Sequence, residues 1–186
     1  MRIIVGISGA SCAILGIETL KSLGELGVET HLIISKGAQK TIESETNYSV
    51  SDVCALADHN YEDGDLGALV SSGSFRTDGM IVAPCSMKSA SAIAHAYDAN
   101  LLVRAADVCL KENRRVVLMP REMPLNKAQL RNLLECAECG CTILPPMLTF
   151  YNKPSTLEEQ VHHIVGKALM QFGLDSNKFK PWDGNL

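Results

Sequence analysis

The sequence predicts an α/β fold, a Rossmann-like three-layer α/β/α domain with a mostly parallel sheet. Two patterns carry the prediction. Short runs rich in aliphatic and β-branched residues recur at 2–7, 29–34, 79–84, 115–119 and 141–144, as expected of strands covered on both faces. Segments of helical periodicity separate them, and alternating strands and helices build parallel sheets. Length adds a third constraint. A chain of 186 residues with 46% hydrophobic and 20% charged residues reads as a single globular domain, 1–186, whose core needs no disulfide or metal to hold it.

Each element follows from its residues. Arg2–Ile7 is β-branched and leads into Ser8, Gly9 and Ala10, so it reads as a buried strand and a tight turn; glycine and serine interrupt it too soon for a secretory signal. Cys12–Glu25 sets Ile14, Ile17, Leu20 and Leu23 near one helical face, and Gly27 ends that helix. Glu29–Ile34 is a strand, Lys36–Glu45 a helix, and 50–73 an irregular to helical stretch. Gly79–Pro84 is a buried strand, followed by helices over Ser86–His95 and Ala99–Glu112. Arg115–Met119 is a strand, Asn126 caps a helix that runs to Glu138, and Cys141–Leu144 is a strand. A final helix spans Thr156–Phe172, capped by Ser155 or Thr156, with Glu158 and Glu159 in its first turn.

Seventeen Lys and Arg against 21 Asp and Glu leave a formal charge of −4, which argues against a dedicated nucleic-acid binder. No apolar run approaches the roughly 18 residues of a membrane span. The seven cysteines, at 12, 54, 85, 109, 136, 139 and 141, are odd in number and read as reduced thiols in a cytoplasmic protein.

Ligands of doubly wound sheets sit beyond the C-terminal strand ends, which directs attention to 6–13, Ser35, 84–91 and 120–122. The first of these, Gly6-Ile7-Ser8-Gly9-Ala10-Ser11-Cys12-Ala13, has the small residues that let backbone N–H groups approach an anion. It is neither G-x-G-x-x-G nor a P-loop, and Ser35 stands where an NAD site carries an acid. A phosphate-bearing mononucleotide suits it; so does a tight turn that merely packs helix on sheet. At Pro84-Cys85-Ser86-Met87-Lys88-Ser89-Ala90-Ser91, hydroxyls and a lysine open a second helix, either as an anion site or as an ordinary cap.

Arg104 and Lys111 fall on one helical face and need an anion, which Asp107 could supply from within the helix. Arg121 and Glu122 leave a strand at the ligand edge and suit phosphate binding and proton transfer, or a surface ion pair. Cys136-x-x-Cys139-x-Cys141 is half a zinc site without a second half. His162 and His163 are adjacent, hence on different helical faces. Cys12, near a helix start, is a weak candidate nucleophile, with no histidine close in sequence.

The sequence resembles the flavin prenyltransferases, the UbiX-like flavoproteins, and within them the small proteins encoded with phenolic acid (hydroxyarylic acid) decarboxylases. The likeness rests on Gly6-Ile-Ser-Gly-Ala-Ser11, Thr30-His-Leu-Ile-Ile-Ser-Lys36, Ser71-Ser-Gly-Ser-Phe75 and Met80-Ile-Val-Ala-Pro-Cys-Ser-Met-Lys-Ser89. It continues through Leu101-Leu-Val-Arg-Ala-Ala-Asp-Val-Cys-Leu-Lys-Glu112, Pro120-Arg-Glu-Met-Pro-Leu125, Leu144-Pro-Pro-Met147, Phe150-Tyr151-Asn152 and Pro181-Trp182.

The resemblance implies a metal-independent, homododecameric enzyme. Such an enzyme transfers a dimethylallyl group from dimethylallyl phosphate to N5 and C6 of reduced FMN. The product, prenylated FMN, goes to a UbiD-type aromatic acid decarboxylase. Carried over by position, Gly9, Ala10, Ser11, Ser35, Ser86, Met87, Lys88 and Ser89 would hold FMN, with Arg121 near its phosphate or ring. Lys111, Glu122, Tyr151 and Lys167 would contact the prenyl phosphate, supported by Arg104, and Ser11 and Glu122 would handle the N5 proton, so Ser11, Glu122 and Lys111 are the expected catalytic residues. Arg104, Lys111, Arg121 and Lys167 are thereby expected to form a buried cationic pocket, and the tail, about 174–186, to pack on neighbouring subunits. Two positions are set apart: Cys12 stands where the common family turn has glycine, and Lys167 where some members carry arginine. Two other readings share the pocket: a non-catalytic FMN-binding subunit of a decarboxylase complex, and a flavin-dependent cysteine-peptide decarboxylase of the same superfamily.

Overall fold

A computed structural model describes residues 1–184. Six strands form one sheet: β1 (Arg2–Ile7), β2 (Glu29–Ile34), β3 (His59–Glu62), β4 (Gly79–Cys85), β5 (Arg115–Pro120) and β6 (Cys141–Ile143). Their order is β3-β2-β1-β4-β5-β6 and every neighbouring pair is parallel. The winding reverses between β1 and β4, which opens a crevice beyond their C-terminal ends.

The helices are α1 (Ile14–Glu25), α2 (Lys36–Glu45), α3 (Val50–Cys54), α4 (Met87–Ala94), α5 (Leu101–Lys111), α6 (Lys127–Glu138) and α7 (Leu157–Leu169). Successive strand residues face opposite sides, so β1 sends Ile3, Val5 and Ile7 into one core with Leu20 of α1 and Val165 of α7. Ile4 goes into the other, with Leu102 and Ala106 of α5 and Cys136 of α6. These are the two outer layers expected of a three-layer domain. Serine, asparagine or threonine caps α2, α4, α5, α6 and α7 by accepting a backbone N–H.

The sheet is parallel throughout, and the stretch read as irregular to helical contains a strand. β3 is His-Asn-Tyr-Glu, four mostly exposed polar residues. It has no apolar run because it is an edge strand, held by its ladder with β2. Asp58, just before it, accepts from Thr30 N and Thr30 Oγ1 at 2.8 and 3.0 Å.

Residues of the tail have partners in their own chain. Lys178 Nζ pairs with Glu18 at 2.8 Å and Glu25 at 2.9 Å, both on α1. Phe179 lies on α7 so closely that a Cβ at Gly166 would stand 2.7 Å from its own Cβ.

Candidate active site

The crevice at the switch point is a cleft of about 820 Å³, lined by Gly9, Ser35, Gly37, Ser86, Lys88 and Ser89, with Tyr97, Asn100 and Val103 opposite. Ser8 ties its two main loops together. Fully buried, its Oγ donates to Pro84 O at 2.9 Å and accepts from Ser86 N at 2.7 Å. The exits of β1 and β4 therefore move as one. Ser35 and Ser86 cap α2 and α4, accepting from Ala38 N and Ser89 N, each at 3.2 Å. The capping reading of the 84–91 turn thus holds at Ser86, and both helix N-termini open on the cleft with Lys36 and Lys88 in their first turns. Gly9 is needed for close approach: a Cβ there would sit 2.9 Å from Gly37 Cα. The bare backbone of the two turns meets at the floor of the cleft, as anion binding by main-chain N–H groups requires.

Beside this floor is a residue that sequence reasoning passed over. Glu45, the last residue of α2, accepts from Cys12 N at 2.8 Å. Cys12 itself has φ +77°, a left-handed conformation that favours glycine, which accounts physically for the family glycine at that position. The signal in the sequence was the glycine-to-cysteine exchange; nothing in sequence linked it to Glu45.

The other expected site residues lie outside the cleft lining. Arg104 is held by Asp98 at 2.8 Å and Asp107 at 3.0 Å, Lys111 by Glu112 at 2.9 Å, and Lys167 lies over the Phe179 ring at 5.2 Å. Arg121 anchors its backbone N on Cys85 O at 3.1 Å and leaves its side chain exposed. Glu122, also exposed, accepts from Met123 N at 3.2 Å. Tyr151 Oη lies 3.0 Å from His163 Nε2. The single chain does not bury Arg104, Lys111, Arg121 or Lys167, since burying a cation without its anion is costly. Arg104 is half-buried only beside two carboxylates, and the lysines and Arg121 stay at the surface.

The comparisons with known proteins decide the family. A family model described as Flavoprotein matches residues 1–171. The chain is 58% identical over 185 residues to a protein of Sedimentibacter hydroxybenzoicus described as a probable UbiX-like flavin prenyltransferase, covering 99% of this chain and 98% of that one. The chain belongs to the UbiX-like flavin prenyltransferase family. Two solved members superpose closely. AnUbiX (PadA1), in complex with FMN and dimethylallyl pyrophosphate, gives a TM-score of 0.98 at 49% identity, covering 100% of this chain and 98% of that one. A dodecameric FMN-dependent UbiX-like decarboxylase from Escherichia coli O157:H7 gives 0.97 at 51%, covering 99% and 100%.

Other titratable clusters of this UbiX-like chain lie outside the cleft lining. Glu29 Oε1 is shared by Arg2 Nε at 2.9 Å, His31 Nε2 at 3.1 Å and His59 Nε2 at 3.5 Å. The two imidazoles are stacked with planes 20° apart, and one ligand atom from each of Glu29, His31 and His59 lies within 4.8 Å of the others, a grouping that could hold a metal ion. Tyr61 Oη completes the network on His31 Nδ1 at 2.8 Å. The half zinc motif divides likewise: Cys136 and Cys141 are buried, Cys139 is exposed, and Cys136 Sγ donates to Ala90 O at 3.2 Å. Burial pushes the Cys85 thiol far up and that of Cys109 to about 11, which leaves both as inert small hydrophobes. No helix among the described residues is long and apolar enough to cross a membrane.

Proposed function

We propose that this chain transfers a dimethylallyl group from dimethylallyl phosphate to reduced FMN, forming bonds at N5 and C6 and releasing phosphate. The prenylated FMN then serves a UbiD-type decarboxylase of aromatic acids. The observation that carries the reading is the cleft: two helix N-termini meet over the Gly9–Gly37 backbone contact, in a chain 49% identical to a relative solved with FMN and dimethylallyl pyrophosphate. Its volume, about 820 Å³, suits a flavin mononucleotide.

Gly9, Ala10 and Ser11 offer N–H groups and a hydroxyl from the first turn, while Ser35 and the Ser86–Ser89 turn bind from the opposite side. Ser11 and Glu122 exchange the proton at N5. Heterolysis of the allyl C–O bond places negative charge on the departing phosphate and positive charge on the allyl fragment. Arg104, Lys111, Arg121 and Lys167, with the Tyr151 hydroxyl, hold that phosphate, and fixed cations in a water-poor site stabilise the separation. Lys167 binds as a point charge where arginine would offer a fork.

Lys111, Arg121 and Lys167 are exposed on the single chain, so neighbouring copies complete the site in a homo-oligomer, a dodecamer like the Escherichia coli relative. Met123, Leu125, Leu130, Leu134, Leu148 and Phe150 are exposed on the single chain, an apolar surface of the kind that subunit contacts cover. Seven free cysteines suit a reducing compartment, and we read the protein as cytoplasmic.

The test is the mass of the flavin recovered after incubation with reduced FMN and dimethylallyl phosphate. The expected product is heavier than FMN by one prenyl group and activates a UbiD-type apo-decarboxylase. Recovery of unmodified FMN from protein loaded with both substrates overturns the reading in favour of a carrier subunit.

A further inference from the structure

Tyr151 sits in the irregular segment between β6 and α7, where no helix or strand fixes its ring. Its one hydrogen bond described by the structure is to His163, with Oη and Nε2 3.0 Å apart and the rings edge to face at 74°. His163 is rigidly held. It is 4% exposed, belongs to α7 one turn before Lys167, and stacks on Phe179 with ring centroids 4.4 Å apart. Burial, and secondarily the Lys167 charge, holds its pKa below the ordinary histidine value. The neutral ring therefore carries a single N–H.

Where that proton sits decides what Tyr151 can do. His163 Nδ1 is buried and has no hydrogen-bond partner. If Nδ1 carried the proton, a donor N–H would be orphaned in the interior, which native structures almost never allow, and the tyrosine O–H would be spent on Nε2. With the proton on Nε2, the orphan is only a lone pair. Nε2–H then donates to Tyr151 Oη, and the phenol O–H is free to donate elsewhere. A hydroxyl that accepts a hydrogen bond is also polarised into a better donor.

We propose that His163 is a positioning residue that donates Nε2–H to Tyr151 Oη and so directs the phenol O–H at the phosphate of the prenyl donor. The proposal rests on the reading of Tyr151 as a phosphate contact given above. In this arrangement α7 contributes twice to the phosphate: directly through Lys167, and through His163 by aiming the hydroxyl of a tyrosine whose ring also packs edge to face on Trp182, with centroids 5.8 Å apart. The C-terminal segment takes part through Phe179, which packs on both residues.

The test uses the full-length assembled protein and steady-state kinetics with dimethylallyl phosphate and reduced FMN. His163→Phe keeps the ring packing and removes the N–H. It is expected to raise KM for dimethylallyl phosphate about tenfold, the size of one hydrogen bond to a charged group, while FMN affinity and melting temperature stay near wild type. His163→Gln carries an amide N–H to the position of Nε2 and is expected to restore most of the loss. Tyr151→Phe is expected to reproduce the loss, and adding His163→Phe to it should change nothing further. If Tyr151→Phe leaves KM unchanged, the phosphate role of Tyr151 falls and the proposal with it. If Tyr151→Phe raises KM but His163→Phe alone does not, or if the two effects multiply, the positioning role is overturned and the reading of Tyr151 stands. Should His163→Phe fail to assemble, the His163→Gln variant decides by the same KM measurement, since an amide that behaves as wild type excludes a need for the imidazole other than its Nε2–H.

Discussion

Cys12 is the place where local backbone energetics and the site meet most directly. Its φ of +77° costs an L-residue roughly 1–2 kcal/mol against ordinary backbone, and glycine escapes this cost. Cys12→Gly recovers that strain but gives the unfolded chain more freedom, about 0.5–1 kcal/mol, and removes a thiol that packs partly on the larger core. The net change is close to zero or a gain of up to about 1 kcal/mol. Cys12→Ala keeps the strain and also loses the thiol, so it should fall below glycine by about 1 kcal/mol, or roughly 2–4 °C in melting temperature for a chain of this size. Cys12→Val adds a branched Cβ at the same φ and should be worst. The Cys12 N–H to Glu45 bond of 2.8 Å is a main-chain contact that all three variants retain, so the series isolates the torsion. Urea midpoints and melting curves at one fixed protein concentration read the order glycine, alanine, valine. An alanine variant as stable as the glycine one refutes the claim that the torsion is strained.

Glu45→Gln weakens the bond that fixes the first turn from a charged to a neutral acceptor, about 1 kcal/mol, and should lower FMN affinity about fivefold by fluorescence titration; unchanged affinity would separate Glu45 from the flavin half of the site. Gly16→Ala places a Cβ 2.4 Å from Ala83 O and 2.7 Å from Ile7 Cγ1, both unyielding, so α1 must lift from the sheet. A loss of at least about 2 kcal/mol is expected, and a melting point within a degree of wild type contradicts the close packing. Burial, the leading cause, holds the pKa of both His31 and His163 below the ordinary value near 6.5. Between the folded value and about 6.5 the unfolded chain binds the extra proton, so stability should decline as pH falls from about 7.5 to about 5.5. A urea midpoint that is constant or rises across that interval removes these histidines from the balance.

The legible part of the fold was the part with one physical determinant. β1, β4 and β5 are nearly all buried, so their composition alone marked them. β3 was hidden because its stability comes from pairing with β2 and from Asp58 on Thr30, not from its own side chains. At the site, the helix caps and small turns were readable from residue type, whereas the Ser8 tie joins positions 78 residues apart and needs the sheet order to be seen. Asp107 as partner of Arg104 followed from helical spacing, but Asp98 reaches the same guanidinium from the loop before α5. Adjacent His162 and His163 do point apart, one to Glu18 and the other to Tyr151; the spacing separated them without naming either partner.

The order in which the cleft is assembled along the chain has a consequence for synthesis. Every residue lining it lies between Gly9 and Val103, on the side of the sheet made by β3, β2, β1 and β4. A nascent chain on the ribosome thus exposes the whole cleft lining while β5, β6 and α7 are still unsynthesised. During that interval β4, which ends up wholly buried, is an unpaired edge strand of aliphatic residues, the kind that recruits other chains. Flavin that docked early in this cleft would hold together the exits of β1 and β4, which the Ser8–Ser86 contact joins. Flavin-starved cells should then accumulate more aggregated newly made protein than flavin-replete ones, even where the finished protein is equally stable in both.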